Sequence, residues 1–384
     1  MNVAILGTNQ HSQIVANLIE QNYNSWLEQR LGEKINVVAY VTLGVINTSN
    51  INNVPILNFV QIVLLYHKKL IDKIIFPREV LINQRNVMLN FMSSNVKLDD
   101  IYLTSRLNDN ISVFNFIEQY TLSRFLPYLE FHIADHCNLN CHACEHYSSL
   151  VKEPKFPVLE KFIEDFNQLH KFIDDIGTIR IMGGEPLLNP QINEYIKLAR
   201  QLYPFADIRV VTNAILLKKM SEDFFDALRK FNVGIDISVY PPMKSKIPEI
   251  QNLMRSKAIQ SEIHTDPKDE FFKRRSLKPH SHLSETFFTD CGAAMCNFLY
   301  DGKIAPCSRP FTLKYFNEYF KQNLPTEGKI DLYNENLTTE KLIRQLLKPI
   351  PACAHCGQKK VIKWKPASYP AKLSDWVVDD YVTD

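Results

Sequence analysis

Apolar and polar positions alternate along this chain with two periods, one of strands and one of helices. Residues 2–7 form a short apolar run, and residues 12–21 place Ile14, Val15, Leu18 and Ile19 at helical spacing, predicting a strand, a turn and a helix. Residues 35–42 and 71–76 predict two further strands, the latter after Val54-Pro55-Ile56-Leu57, so residues 1–125 read as a small doubly wound α/β domain. From Leu129 the alternation becomes regular. Strand patterns at 129–134, 178–182, 207–212 and 233–239 are separated by helical patterns at 159–173, 192–202 and 220–231. Such repetition implies a parallel sheet covered by helices, as an open sheet or a closed barrel, and in both function collects at the carboxyl ends of the strands. Those ends carry a cysteine-rich loop, Gly183-Gly184-Glu185-Pro186, Thr212-Asn213 and Ser238. Residues 298–304 read as a β-hairpin turning at Asp301-Gly302.

The cysteine-rich loop holds Cys137, Cys141 and Cys144, and the next cysteine is Cys291. Three thiolates this close suit one metal centre, whereas a structural zinc or an ordinary four-cysteine cluster takes four protein ligands. One coordination position is therefore left for something else. Cys141 and Cys144 alone would read as a zinc knuckle or a redox pair. In the second motif, the paired glycines permit close backbone approach, and Glu185 offers a charge to an ammonium group.

Together, the Cx3Cx2C spacing and the Gly-Gly-Glu-Pro string resemble the radical S-adenosylmethionine (SAM) superfamily. The resemblance implies a partial (β/α)6 barrel and a [4Fe-4S] cluster on Cys137, Cys141 and Cys144, with one iron chelating SAM. It also implies that Gly183, Gly184 and Glu185 hold the SAM amino group. Thr212 and Asn213 match a Thr-Asn-Gly element with Ala214 in the glycine position, and Ser238 sits where family members touch the SAM ribose. Read without the resemblance, these are polar strand ends that cap turns. Ala143 stands where the family often has an aromatic residue, which leaves the packing of adenine open. The longer string from Cys137 to Leu150, with His146, Tyr147 and Ser148, resembles a subgroup linked to surface-polysaccharide pathways.

The remaining cysteines are Cys291, Cys296, Cys307, Cys353 and Cys356. Cx10Gx4C followed by CxxC resembles the twitch domain, a shortened relative of the SPASM domain. This implies an auxiliary [4Fe-4S] cluster on Cys291, Cys307, Cys353 and Cys356; zinc would also accept four thiolates. Cys296 is surplus. It is a substitute for Cys291 as ligand, a buried free thiol, or the thiol candidate for returning hydrogen to a substrate. The stretch 268–282 is the most basic in the chain. Arg274 and Arg275 are candidates for a substrate phosphate, against the plainer reading of a solvated loop between domains.

The 384 residues are 45% hydrophobic and carry 44 basic and 42 acidic side chains, so charge gives no reason to expect nucleic acid or an anionic membrane as partner. No apolar run approaches the ~20 residues that span a bilayer, and cysteines in metal-like spacings fit a reducing, cytoplasmic setting. Expected domains are a Rossmann-like domain at 1–125, a radical SAM barrel at 126–285 and an auxiliary-cluster domain at 286–384. The first resembles modules attached to sugar-modifying enzymes. Its turn, Gly7-Thr8-Asn9-Gln10-His11-Ser12, lacks the GxGxxG of a dinucleotide site, so docking, dimerisation or a remnant fold is the better reading. The resemblances imply an oxidoreductase or epimerase that uses a 5′-deoxyadenosyl radical on a sugar or nucleotide-sugar. A carrier such as flavodoxin or ferredoxin would supply electrons. The alternatives are a maturase acting on a ribosomally made peptide and a non-catalytic protein stapled by metal.

Overall fold

A computed structural model describes residues 1–19, 35–42, 49–77, 94, 96–103, 124–264, 270–279, 288, 291, 293–294 and 296–378. The chain forms two compact units, residues 1–127 with 173–177, and residues 128–172 with 178–384.

The first unit carries β1 (Asn2–Leu6), α1 (Gln10–Leu18), β2 (Asn36–Val41), β3 (Asn50–Ile51), β4 (Val54–Leu57), α2 (Phe59–His67), β5 (Lys73–Phe76) and β6 (Ile101–Leu103). Its sheet runs β3-β4-β2-β1-β5-β6, and every pairing except the short β3–β4 one is parallel. Val3, Ile5, Val15, Ala16, Ile19 and Tyr40 belong to its buried core; Val15 and Ile19 are buried as the helical spacing predicts, whereas Ile14, placed with them by that spacing, is exposed because it faces away from the sheet. At the start of α1, the Asn9 side chain accepts from the Ser12 amide, and the Ser12 hydroxyl donates to the Leu6 carbonyl. The helix thus satisfies part of its own N-terminus, where a dinucleotide-binding turn would offer those amides to a pyrophosphate.

The second unit begins in β7 (Phe125–His132) and continues through α3 (Leu159–His170), β8 (Asp175–Met182), α4 (Ile192–Leu202), β9 (Asp207–Thr212), α5 (Glu222–Lys230), β10 (Gly234–Ser238), α6 (Ile247–Ser256) and β11 (Ser261–His264). Then come β12 (Glu270–Arg275), β13 (Asn297–Tyr300), β14 (Lys303–Ala305), α7 (Arg309–Phe320), β15 (Ile330–Asp331), α8 (Thr339–Leu346) and β16 (Cys356–Lys363). The large sheet is ordered β11-β10-β9-β8-β7-β13-β14-β15. β8 through β11 pair in parallel, and β13 joins β7 in parallel. In α3, Leu159, Phe162, Phe166 and Leu169 recur every three or four residues and are buried. Phe162 and Phe166 pack on Phe131 of β7 with ring centroids at 4.7 and 5.6 Å. Strand alternation turns Glu130, His132, Met182, Val211 and Ser238 to the face away from such helix-facing residues.

β13 hydrogen-bonds to β7, and its hairpin with β14 extends the large sheet within the second unit. That hairpin turns at Asp301 and Gly302, both with positive φ, as the Asp-Gly pair predicts. The basic stretch is not a solvated loop over residues 270–275: it is β12, paired antiparallel with β16, and Arg275 is buried. The interleaved Phe271 and Phe272 give this segment strand character. Lys268, His280 and His282 lie outside the described residues.

Candidate active site

The carboxyl ends of β8, β9 and β10 and the loop after β7 enclose a cavity of about 470 Å³. Cys137, Cys141, Cys144, Gly183, Gly184, Thr212, Asn213 and Ser238 all line it. Sequence positions spread over a hundred residues therefore meet at one place, and the strand ends bring them there.

Local sequence explains how the loop is seated. A Cβ on Gly183 would lie 2.2 Å from the Ala134 carbonyl oxygen, and one on Gly184 2.2 Å from that of His136. The Gly184 amide donates to Ala134 O at 2.7 Å and the Glu185 amide to His136 O at 3.1 Å. The glycines are thus required first for contact between β8 and the cysteine loop. Ala143, Tyr147 and Ala214 adopt left-handed φ of 53°, 56° and 66°. At Ala214 this is a conformation glycine takes at lower cost, which accounts for the glycine in the Thr-Asn-Gly pattern.

Glu185 is fully buried and does not line the cavity. Its Oε1 accepts from the Thr212 hydroxyl at 2.7 Å and the Leu187 amide at 3.1 Å, and its Oε2 accepts from the Asn213 amide at 3.0 Å. The carboxylate pins the end of β9 to the end of β8. Burial pushes its pKa up to about 7 despite these donors.

Tyr240 and Glu145, not singled out from sequence, complete the wall with His146. Tyr240 lies two residues past Ser238, and burial first, then the nearby cysteines, raise its pKa. Glu145 and His146 line the cavity beside Cys144. His146 Nδ1 lies 2.8 Å from Nε2 of His132, whose Nδ1 lies 3.3 Å from the Asp135 carboxylate. The chain's C-terminal part also closes on the loop. Trp364 Nε1–H donates to Cys141 Sγ at 3.1 Å, His142 Nδ1 lies 2.9 Å from Lys365 O, and the Ala367 amide donates to Asn140 O. A lone tryptophan after a lysine-rich strand gives no sequence signal for this contact.

Residues 131–260 match the sequence profile of the Radical SAM superfamily. The chain carries a radical SAM domain. Among curated proteins it is similar to the GTP 3′,8-cyclase of Sulfurimonas denitrificans, 36% identical over 119 residues, which is 29% of this chain and 36% of that protein. It is also similar to the GTP 3′,8-cyclase of Thermodesulfovibrio yellowstonii, 34% identical over 123 residues, 30% of this chain and 36% of that protein. The chain thus spans about a third of the length of these relatives. Among solved structures, BtrN in complex with AdoMet and 2-DOIA aligns with 61% of this chain and 93% of its own, at 14% identity and a TM-score of 0.38.

Radical SAM domains take a [4Fe-4S] cluster and SAM, and the donor set fits: three thiols and a backbone-lined wall face one cavity with room for a ligand. Among the described residues no three of His, Cys, Asp or Glu close on a single-ion point. A cubane spreads its thiolates over separate irons, so a shared cavity is the relevant geometry. Burial pushes the Cys137 thiol up to about 12 and raises that of Cys144. Bound metal would overturn this by deprotonating them outright.

Cys291, Cys307, Cys353 and Cys356 line a second, small cavity of about 30 Å³, together with Arg274 and Arg309. Cys296 is not among its lining residues. Burial, Glu130 and the neighbouring thiols push Cys296 up to about 12. At Cys356 burial works upward, but Arg275 and Arg309 outweigh it and lower the thiol's pKa. Arg275 Nη1 donates to Cys356 Sγ at 3.2 Å and its Nε donates to the Tyr147 hydroxyl at the same distance. Arg274 Nε lies 3.0 Å from the Glu145 carboxylate, which also pairs with Arg309. Neither Arg274 nor Arg275 lines the larger cavity, so the structure does not place them as substrate-phosphate ligands there. They join the cysteine loop to the second group of cysteines.

Proposed function

We propose that this chain is a radical SAM enzyme that abstracts hydrogen from a sugar carbon of a small molecule, as a free or nucleotide-borne sugar. The observation that carries the reading is the convergence of Cys137, Cys141, Cys144, Gly183, Gly184, Asn213 and Ser238 on one cavity. With cluster and SAM bound and an electron from a carrier such as flavodoxin or ferredoxin, the site supplies a 5′-deoxyadenosyl radical. The chain's own contribution is placement. The three cysteines would hold the cluster, the Gly183-Gly184 backbone and Ser238 would border SAM, and Tyr240, His146 and Glu145, which line the same cavity, would help exclude water.

The relatives' name supports a nucleotide-borne sugar, since GTP carries a ribose. Residues 286–384 supply the second site, where Cys291, Cys307, Cys353 and Cys356 would hold an auxiliary [4Fe-4S] cluster; four thiols lining one cavity support that set. The test of the substrate class is anaerobic turnover with SAM and dithionite in the presence of GTP, nucleotide-sugars or short peptides. Formation of 5′-deoxyadenosine accelerated by a nucleotide or nucleotide-sugar, with substrate deuterium recovered in it, is the expected result. Acceleration by peptides alone would replace the sugar reading with a maturase.

A further inference from the structure

Away from both groups of cysteines, a third cavity of about 150 Å³ opens between the β13–β14 hairpin and the start of α7. Lys303, Lys314 and Lys329 line it over a floor that includes Tyr300 and Phe311, with Thr326 and one carboxylate, Asp301, at its wall. Some other lysines of this unit pair with acids, as in Lys161–Asp165, Lys218–Glu249 and Lys257–Glu222. Here, among the described residues, none of the three ammonium groups has a carboxylate within ion-pair distance. Two rest on aromatic faces instead. Lys314 Nζ lies 4.8 Å from the Tyr300 ring centroid and 4.9 Å from that of Tyr315, and Lys329 Nζ lies 5.7 Å from that of Phe311.

Three like charges converging on one concavity repel one another, and a chain that folds this way holds a site short of negative charge. Burial lowers the pKa of both Lys314 and Lys329; Asp135 works against it at Lys314, and Lys303 adds to it at Lys329. We propose that this cavity binds the phosphoryl or diphosphoryl group of a small molecule. Ammonium groups act as movable point charges toward phosphate oxygens, and the Thr326 hydroxyl adds a neutral donor. The volume admits a diphosphate and is too small for a whole nucleotide, so any base or sugar attached to it extends into solvent. Tyr300 links the cavity to the cysteine loop, because its hydroxyl donates to Asp135 at 3.0 Å, two residues before Cys137.

The test is anaerobic calorimetric titration of the cluster-loaded chain with SAM present, using inorganic pyrophosphate and, separately, orthophosphate at fixed ionic strength. The expected result is saturable binding of one pyrophosphate per chain. Lys329→Ala and the exposed Lys303→Ala should weaken it at least about tenfold each, the loss of one charge-assisted contact. Lys314→Gln should do the same with an unchanged circular-dichroism melt, and Lys218→Ala should have no effect. Saturable binding that survives all three variants would put the anion elsewhere, and weak association that tracks salt alone would show an ordinary basic surface; either overturns the proposal.

Discussion

The indole N–H of Trp364 donates to the sulfur of Cys141 at 3.1 Å, joining positions 223 residues apart. A hydrogen bond to a cluster thiolate stabilises the more negative, reduced state and so raises the reduction potential. Trp364→Phe should therefore keep iron content near the wild-type value while lowering the potential of the cluster on Cys137, Cys141 and Cys144. The expected shift is tens of millivolts, about 60 mV for each tenfold change in preference between the two states. Potentiometry followed by electron paramagnetic resonance would measure it. An unchanged potential would make Trp364 a packing residue only.

The two glycines after β8 carry a second prediction. Gly184→Ala drives a methyl group into the His136 carbonyl at 2.2 Å, and the obstacle is backbone, not a movable side-chain end. The cysteine loop must shift or the unit must loosen. Thermal unfolding should show a loss of at least about 3 kcal/mol, in the range of strained backbone substitutions, and reconstitution should retain fewer irons. A soluble variant with wild-type stability and iron would show that the loop tolerates displacement.

The auxiliary site offers a choice between two cysteines. Cys291 lines the cavity with Cys307, Cys353 and Cys356, and Cys296 does not. Cys291→Ser should cost about four irons per chain after anaerobic reconstitution, whereas Cys296→Ser should keep them. The reverse pattern would exchange the two ligands. One zinc per chain, lost in Cys291→Ser, would make the site a structural metal centre.

Glu130 predicts a pH dependence. It is buried, accepts from the Tyr128 hydroxyl at 3.2 Å, and burial raises its pKa from 4.5 to about 7 despite that bond and the charges of Arg309 and Arg180. The folded chain therefore holds this proton more tightly than the unfolded chain. Stability must fall as pH rises from about 4.5 through about 7, by up to about 3 kcal/mol from this group. Glu130→Gln keeps an acceptor for Tyr128 and removes the charge. Denaturant titrations at pH 5 and pH 8 should show a smaller decline in the variant than in the wild type. An equal decline would assign the proton elsewhere, with Glu185 the first alternative, since burial also pushes its pKa up to about 7.

Much of this was legible in the chain, for identifiable reasons. Strands such as β9 and helices such as α4 have the predicted bounds because their apolar period is unbroken. The cysteines and glycines at strand ends were readable because a parallel sheet delivers its strand ends to one rim. The three protein donors that meet Glu185 were not, because two of them, the Thr212 hydroxyl and the Asn213 amide, come from a strand end remote in sequence. Nor was Arg275, which a run of basic residues presents as solvated until β12 pairs with β16 and turns it toward Cys356. Trp364 and Glu145 act through contacts between segments remote in sequence, and no local period encodes such contacts.

Cys137, Cys141 and Cys144 are proposed to hold the cluster at which SAM is cleaved. The most direct measurement is 5′-deoxyadenosine released under anaerobic conditions from SAM and dithionite, by the reconstituted wild-type chain and by the variant in which all three are alanine. Release by the wild type and none above background by the variant is the predicted result. Equal release from both, or none from an iron-replete wild type given SAM and reductant, would contradict it.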